Sequence, residues 1–168
     1  MQISMYEALV PTANRMLRNL SAILDKGAAF AEARKVDPTV LLNGRLAPDM
    51  FSLSRQVQIA CDMVKGAAAR LSGNEIPKFD DNEVSFADLK ARIAKTLAFV
   101  NSVDAARFDQ SEDRDILLQM RSGELRFKGL SYLRDFVLPN MYFHITTTYA
   151  ILRHNGVELG KPDFIGAP

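Results

Sequence analysis

The run His144-Ile145-Thr146-Thr147-Thr148-Tyr149-Ala150-Ile151-Leu152-Arg153-His154-Asn155-Gly156-Val157 closes a helical segment that begins near Leu130 and stops at Gly156. A glycine just past the last helical residue is the usual helix stop, because it accepts a left-handed backbone without a Cβ clash. Pro139 lies inside this segment and lacks a backbone donor, so the sequence predicts a kink there. A helix of this length needs neighbours to cover it, and the rest of the chain supplies them.

Ser4 and Glu7 have capping-box spacing. Leu9, Ala13, Met16, Leu17, Leu20, Ile23 and Leu24 then recur at helical spacing, which predicts an amphipathic helix reaching about Lys35. Pro11 lies a little inside it and predicts either a kink or a later start. Asp37-Pro38 opens a short helix, with Gly44 and Pro48 close behind. From Ser52, the stripe Leu53, Val57, Ala60, Cys61, Val64, Ala67, Ala68 and Leu71 runs to Gly73. Residues 74–84 carry a proline and several charges and read as a surface connection. Ser85 with Asp88 starts a third long helix, apolar at Phe86, Leu89, Ile93, Leu97 and Val100. Residues 114–119 and 124–128 flank Arg121-Ser122-Gly123 and read as a β-hairpin. Four long helices close most economically as an all-α four-helix bundle, with the hairpin between the third and fourth, in one domain spanning residues 1–168.

Composition narrows the function classes. A chain of 168 residues can bury roughly two-thirds of its unfolded surface without a metal or disulfide to hold it. Its 21 Lys and Arg balance 20 Asp and Glu and no basic block stands out, which argues against a nucleic-acid partner. The lone Cys61, in an apolar run, reads as a small buried hydrophobe. The first residues lack a signal-peptide pattern and no stretch is apolar enough to span a bilayer, so a cytoplasmic location is the expectation, with no membrane partner.

The two histidines both fall on the last helix. Ten residues rotate a helix by about 1000°, which leaves His144 and His154 roughly 80° apart and poorly placed to share a metal. His154 sits in the last turn, where a cation meets the negative end of the helix dipole. His144 is mid-helix, and Asn140, His144 and Thr148 form one ridge at a spacing of four. That ridge is either a polar pocket for a small ligand or metal-bound water, or a buried histidine bonded to a neighbouring helix. The 53–72 helix offers Gln56, Gln58, Asp62 and Lys65, which form either the other wall of such a pocket or a solvent-facing stripe with an ion pair. There is no phosphate loop, nucleophile elbow or Cys/His cluster with zinc spacing.

The 144–157 run, with a Leu152-Arg153 pair and Gly156 after the histidine, resembles the last helix of the DinB-like superfamily of metal-dependent enzymes. Arg45-Leu46-Ala47-Pro48-Asp49-Met50-Phe51 and Tyr149-Ala150-Ile151-Leu152-Arg153-His154-Asn155-Gly156 look like a bacterial branch of it known as a domain of unknown function. The resemblance implies the bundle fold over nearly the whole chain. It also implies a divalent metal, zinc or nickel, held by three histidines, one on the second helix and two four apart on the last. His144 matches the second of that pair, but Asn140 stands in place of the first and the second helix has no histidine. The expectation is a small-molecule-binding protein whose metal site is degenerate and holds no metal tightly, built from His144, Asn140, Thr148, Asp62 and Gln58, with His144 the candidate metal ligand. The alternative is a metal-dependent thiol transferase or isomerase in which the metal activates a small thiol. Ala67-Ala68-Ala69 permits close packing, and with the resemblance it raises the expectation of a homodimer.

Overall fold

The structure is a computed structural model that describes residues 3–120 and 123–166. Helix α1 spans Met5–Arg34. Its start is the expected capping box: Glu7 N–H donates to Ser4 Oγ at 3.1 Å and Ser4 N–H donates to Glu7 Oε2 at 3.0 Å. The helix begins before Pro11, so the expected later start does not occur. Met5, Leu9 and Val10 are buried and hold the first turns, while Pro11 and Glu7, whose carbonyl loses its partner, are on the exposed face. Ser4→Ala is expected to lower stability by about 1 kcal/mol, read as a shift in the urea midpoint at unchanged m.

Helix α2 spans Pro38–Leu42 with Asp37 as its cap, and α3 spans Leu53–Ser72 and ends at Gly73 in the left-handed conformation. Arg114 Nη1 donates to the Leu71 carbonyl at 2.6 Å and so serves an orphan acceptor at the α3 terminus. Ala67, Ala68 and Ala69 are all fully buried inside this chain, so the small-residue face packs within the bundle and offers nothing to a partner. Helix α4 spans Phe86–Ser102, and Ser85 caps it by accepting from Asp88 N–H. Helices α3 and α1 each pack against α4 and against the last long helix, Leu138–His154. The core is the apolar stripe of each, including Leu20, Leu24, Val57, Val64, Leu89, Ile145 and Leu152.

Two 3₁₀ turns, Ala105–Phe108 and Ser111–Asp113, lead into strands β1, Asp115–Met120, and β2, Gly123–Lys128. They pair antiparallel in the register Asp115↔Lys128 through Met120↔Gly123. The expected hairpin is therefore present, while Arg121 and Ser122 of its turn lie outside the described residues. The fold is all-α with this one small hairpin.

The last long segment is one path with three textures. It opens as the single α-turn α5, Gly129–Ser131, widens into a π-helix over Tyr132–Val137, and continues as α6, Leu138–His154. In the widened part Leu138 N–H reaches back to the Leu133 carbonyl, five residues away. Pro139 then falls in the first turn of α6, where its missing donor is tolerated. The irregularity expected at Pro139 thus appears as π-turns just before it. A final short helix, α7, spans Lys161–Ile165 and lies on α1, held by Asn19 Nδ2 donating to the Phe164 carbonyl at 2.9 Å and by a Lys26–Asp163 ion pair at 2.7 Å. Gly160-Lys161-Pro162 was the local signal for it, a chain stop followed by proline at a helix start. No helix among the described residues is long and apolar enough to cross a membrane.

Candidate functional site

The contact between α3 and α6 brings Gln56 to His144. Gln56 is 1% exposed and His144 8%. Gln56 Nε2 donates to the Phe51 carbonyl at 3.1 Å, and a carbonyl only accepts, so the amide group of Gln56 faces Phe51 and its Oε1 faces the imidazole. His144 Nδ1 lies 2.6 Å from that oxygen and must carry the ring proton. The tautomer is thereby set: Nδ1–H donates, and Nε2 presents a lone pair. Nε2 has no partner among the described residues and, unlike Arg92 Nε and Ser111 Oγ, is not sealed in the interior. Phe143, exposed beside it, packs edge-on against the ring at a centroid distance of 5.3 Å.

Burial holds the His144 pKa below the usual imidazole value, and the positive charge of Arg55 lowers it further. The ring is therefore neutral at pH 7. Because the unfolded chain takes up the proton first, folding stability is full above about pH 6.5 and falls as the pH drops below it, levelling once the folded ring is protonated. We expect an imidazole titration by NMR to place His144 below the usual imidazole value. Urea melts should show a loss between pH 7.5 and 5.5 that His144→Gln reduces.

The rest of the expected ridge does not converge on this nitrogen. Asn140 Nδ2 donates to the Phe136 carbonyl at 2.6 Å, in the π-turn region where the ladder is disturbed. Thr148 Oγ1 donates to the His144 carbonyl at 2.9 Å and is fully buried. Both side chains bond back to carbonyls one turn earlier in the same helical segment.

Gln58 and Asp62 turn to a different neighbour. Residues two apart on a helix point about 200° apart, so Gln58 faces away from Gln56 and toward α4 and the 74–85 connection. There Arg92, 3% exposed, is the centre of a charged cluster. Its Nη2 contacts Asp62 at 2.9 Å and Asp81 at 3.0 Å; its Nη1 contacts Glu83 at 2.8 Å and the Asp80 carbonyl at 3.1 Å. Lys65 also holds Asp62, at 2.8 Å. Gln58 Nε2 donates to Glu83 at 2.8 Å and its Oε1 accepts from Arg55, which pairs with Asp81. Phe79 packs its ring under the Lys65 and Lys95 ammonium groups, 4.1 and 4.2 Å from its centroid. The expected ligand-pocket carboxylate is thus an ion-pair partner. The connection read as a surface loop is a strap clamped to two helices, and a cleft of about 520 Å³ between it and α4 is lined by Phe79, Arg92 and Lys95.

Arg92 and Glu83 were the residues missing from the sequence expectation, while Gln56, one of the four polar residues offered there as a pocket wall, is the one that meets His144. Arg92 had a local signal, since it interrupts the apolar face of α4 between Leu89 and Thr96, where an arginine has to be paired. Cys61 is buried as expected, and burial pushes its thiol pKa up to about 12, so it is inert at neutral pH.

A family model described as a domain of unknown function, DUF1993, matches residues 5–165. The chain belongs to the DUF1993 family. This DUF1993 member is also 47% identical to a DinB family member protein from Shewanella denitrificans whose crystal structure is known, over 97% of this chain and 92% of that one, with a TM-score of 0.91. No curated protein matches it. The DinB-like assignment made from the 144–157 run and the 45–51 segment therefore holds for this DUF1993 chain.

The metal that the resemblance read from the sequence implied can be tested against the donors present. Zinc and nickel prefer several nitrogen or thiolate ligands. His144 supplies one open nitrogen; Asp62 is held by two cations; Cys61 is a buried thiol. Among the described residues no group of three or more His, Cys, Asp and Glu side chains is placed to hold a metal. This DUF1993 donor set does not fit a tightly held divalent ion.

Proposed function

We propose that the chain is a small-molecule-binding member of the DinB-like fold, with a degenerate metal site reduced to the His144 imidazole. The observation that supports this reading is the Phe51–Gln56–His144 relay, which orients the ring and leaves a neutral Nε2 lone pair open. Histidines that bind a metal almost always have an orienting partner of this kind on the other nitrogen. A neutral imidazole accepts a hydrogen bond from a hydroxyl, thiol or amine of a ligand, and serves as a base when that group is acidic enough. Phe143 and Phe51, both exposed, offer apolar surface to the body of such a ligand. Asn140 and Thr148 are spent on carbonyls of their own helical segment, and Gln58 and Asp62 hold α3 to α4.

The test is an NMR titration of the chain with a series of small phenols, alcohols and thiols. Shift changes centred on His144, Gln56 and Phe143, and lost in His144→Ala, are expected; a series that never perturbs these residues overturns the reading. Untagged protein dialysed against zinc or nickel is expected to retain no stoichiometric metal. One equivalent per chain, lost in His144→Ala, would restore the metal-dependent thiol transferase in its place.

A further inference from the structure

The β1–β2 hairpin is a two-stranded sheet, so each strand has an outer edge with no third strand beside it. Outside the ladder, no backbone group of residues 115–120 takes part in a backbone hydrogen bond among the described residues. Unserved edges of this kind template pairing with another strand unless they are blunted. The two edges differ in that respect. On the outward face β2 carries Glu124, Arg126 and Lys128, three charges in alternate positions. On the same face β1 carries Asp115, Leu117 and Gln119, and Leu117 is 49% exposed in the middle of the strand. The one charge there, Asp115, is already matched by Lys128 across the hairpin at 2.7 Å. One edge is protected and the other is not.

We propose that β1 pairs antiparallel with β1 of a second copy of this chain about a two-fold axis at Leu117, giving a four-stranded sheet of order β2-β1-β1-β2. The occupant follows from the register. With the axis at Leu117, Asp115 faces Gln119 of the mate, Leu117 faces Leu117, and Ile116 faces Leu118. Combined with the observed register of the hairpin, each row across the new sheet is then matched in character. On the outward face the rows run Lys128, Asp115, Gln119, Glu124 and Arg126, Leu117, Leu117, Arg126. On the inward face they run Phe127, Ile116, Leu118, Leu125, apolar throughout. No like charges stand opposite each other on adjacent strands, and the exposed Leu117 is covered by its own copy between two arginine stems. Pairing through β2 instead, about Arg126, would set Arg126 against Arg126. The contact is self-complementary, as a two-fold interface must be. It is also small, so it belongs to the weak, exchanging class.

Sedimentation equilibrium of the intact chain from micromolar to millimolar concentration is expected to show the mass rising toward twice that of one chain. Leu117→Arg, which places two like charges on the axis, is expected to abolish the rise while leaving the melting temperature unchanged. Facing residues of antiparallel strands lie within disulfide range, so Leu117→Cys is expected to cross-link between chains with glutathione disulfide as the oxidant. Arg126→Cys, on the protected edge, is expected not to. Cys61 is buried and stays out of the reaction. A monomer at every concentration, a dimer that survives Leu117→Arg, or equal cross-linking at positions 117 and 126 would each overturn the proposal.

Discussion

Replacing Arg92 by methionine is expected to lower the stability of the fold by about 3–5 kcal/mol, the range for removing one partner of a buried ion pair. The guanidinium is the shared counter-charge of Asp62, Asp81 and Glu83, and it also donates to the Asp80 carbonyl. Methionine fills much of the volume but leaves Glu83, itself almost fully buried, without its cation. The loss therefore comes mainly from a stranded charge and only secondarily from packing. Adding Glu83→Gln to Arg92→Met is expected to recover part of it, and a double-mutant cycle in urea should show coupling of more than about 1 kcal/mol. A loss below about 1 kcal/mol for Arg92→Met would mean that the strap stays on the bundle without its central cation. Asp62→Asn should cost less, because Asp62 is one-third exposed and the remaining carboxylates still neutralise Arg92.

Gly129→Ala is the second large effect, expected at about 3 kcal/mol. Gly129 opens α5, and a Cβ there would be driven into the carbonyl oxygen of Ser111, with the Ser111 carbonyl carbon at 2.9 Å and Leu71 Cδ2 at 3.1 Å behind it. The obstructing atoms are backbone, so relief requires the Ser111–Asp113 turn or the start of the π-helix to move. Gly66→Ala is the informative contrast. There the nearest atom is the tip of the Arg70 side chain, which can swing away at the cost of its 3.1 Å bond to Tyr132 Oη. That cost opposes the better helix propensity of alanine, and the net change is expected to stay within about 1 kcal/mol. Thermal melts of the two variants side by side would separate a backbone collision from a side-chain one.

The helices were legible because their signals are local. Ser4 with Glu7, Asp37-Pro38, Ser85 with Asp88, and Gly73 each mark an end by hydrogen bonds or backbone angles that involve only a few neighbouring residues. The apolar stripes between them are periodic, and four stripes of that length have few ways to bury one another. The hairpin was legible for the same reason. Pro11 did not delay the helix start, and the irregularity expected at Pro139 falls just before it, because the penalty for proline depends on what surrounds the carbonyl it abandons. At Pro11 that surrounding is solvent, and before Pro139 it is a widened π-turn.

The site was legible only in part. His144 was singled out as a histidine in mid-helix, yet which nitrogen is free depends on Gln56 and the Phe51 carbonyl, 88 and 93 residues earlier in the chain. Asp62 and Gln58 were drawn toward His144 because all three are polar groups on helices that pack together. The rotation of α3 sends them to Arg92 instead. What the sequence by itself determined is therefore the four long helices and the short one at Pro38, their caps, the hairpin and the family, because each rests on patterns within a short stretch of chain. Only the tertiary structure decided which polar groups meet across α3, α4 and α6. A side chain's partner is set by the rotation and packing of whole helices, and a change of one residue in phase turns it by about 100°.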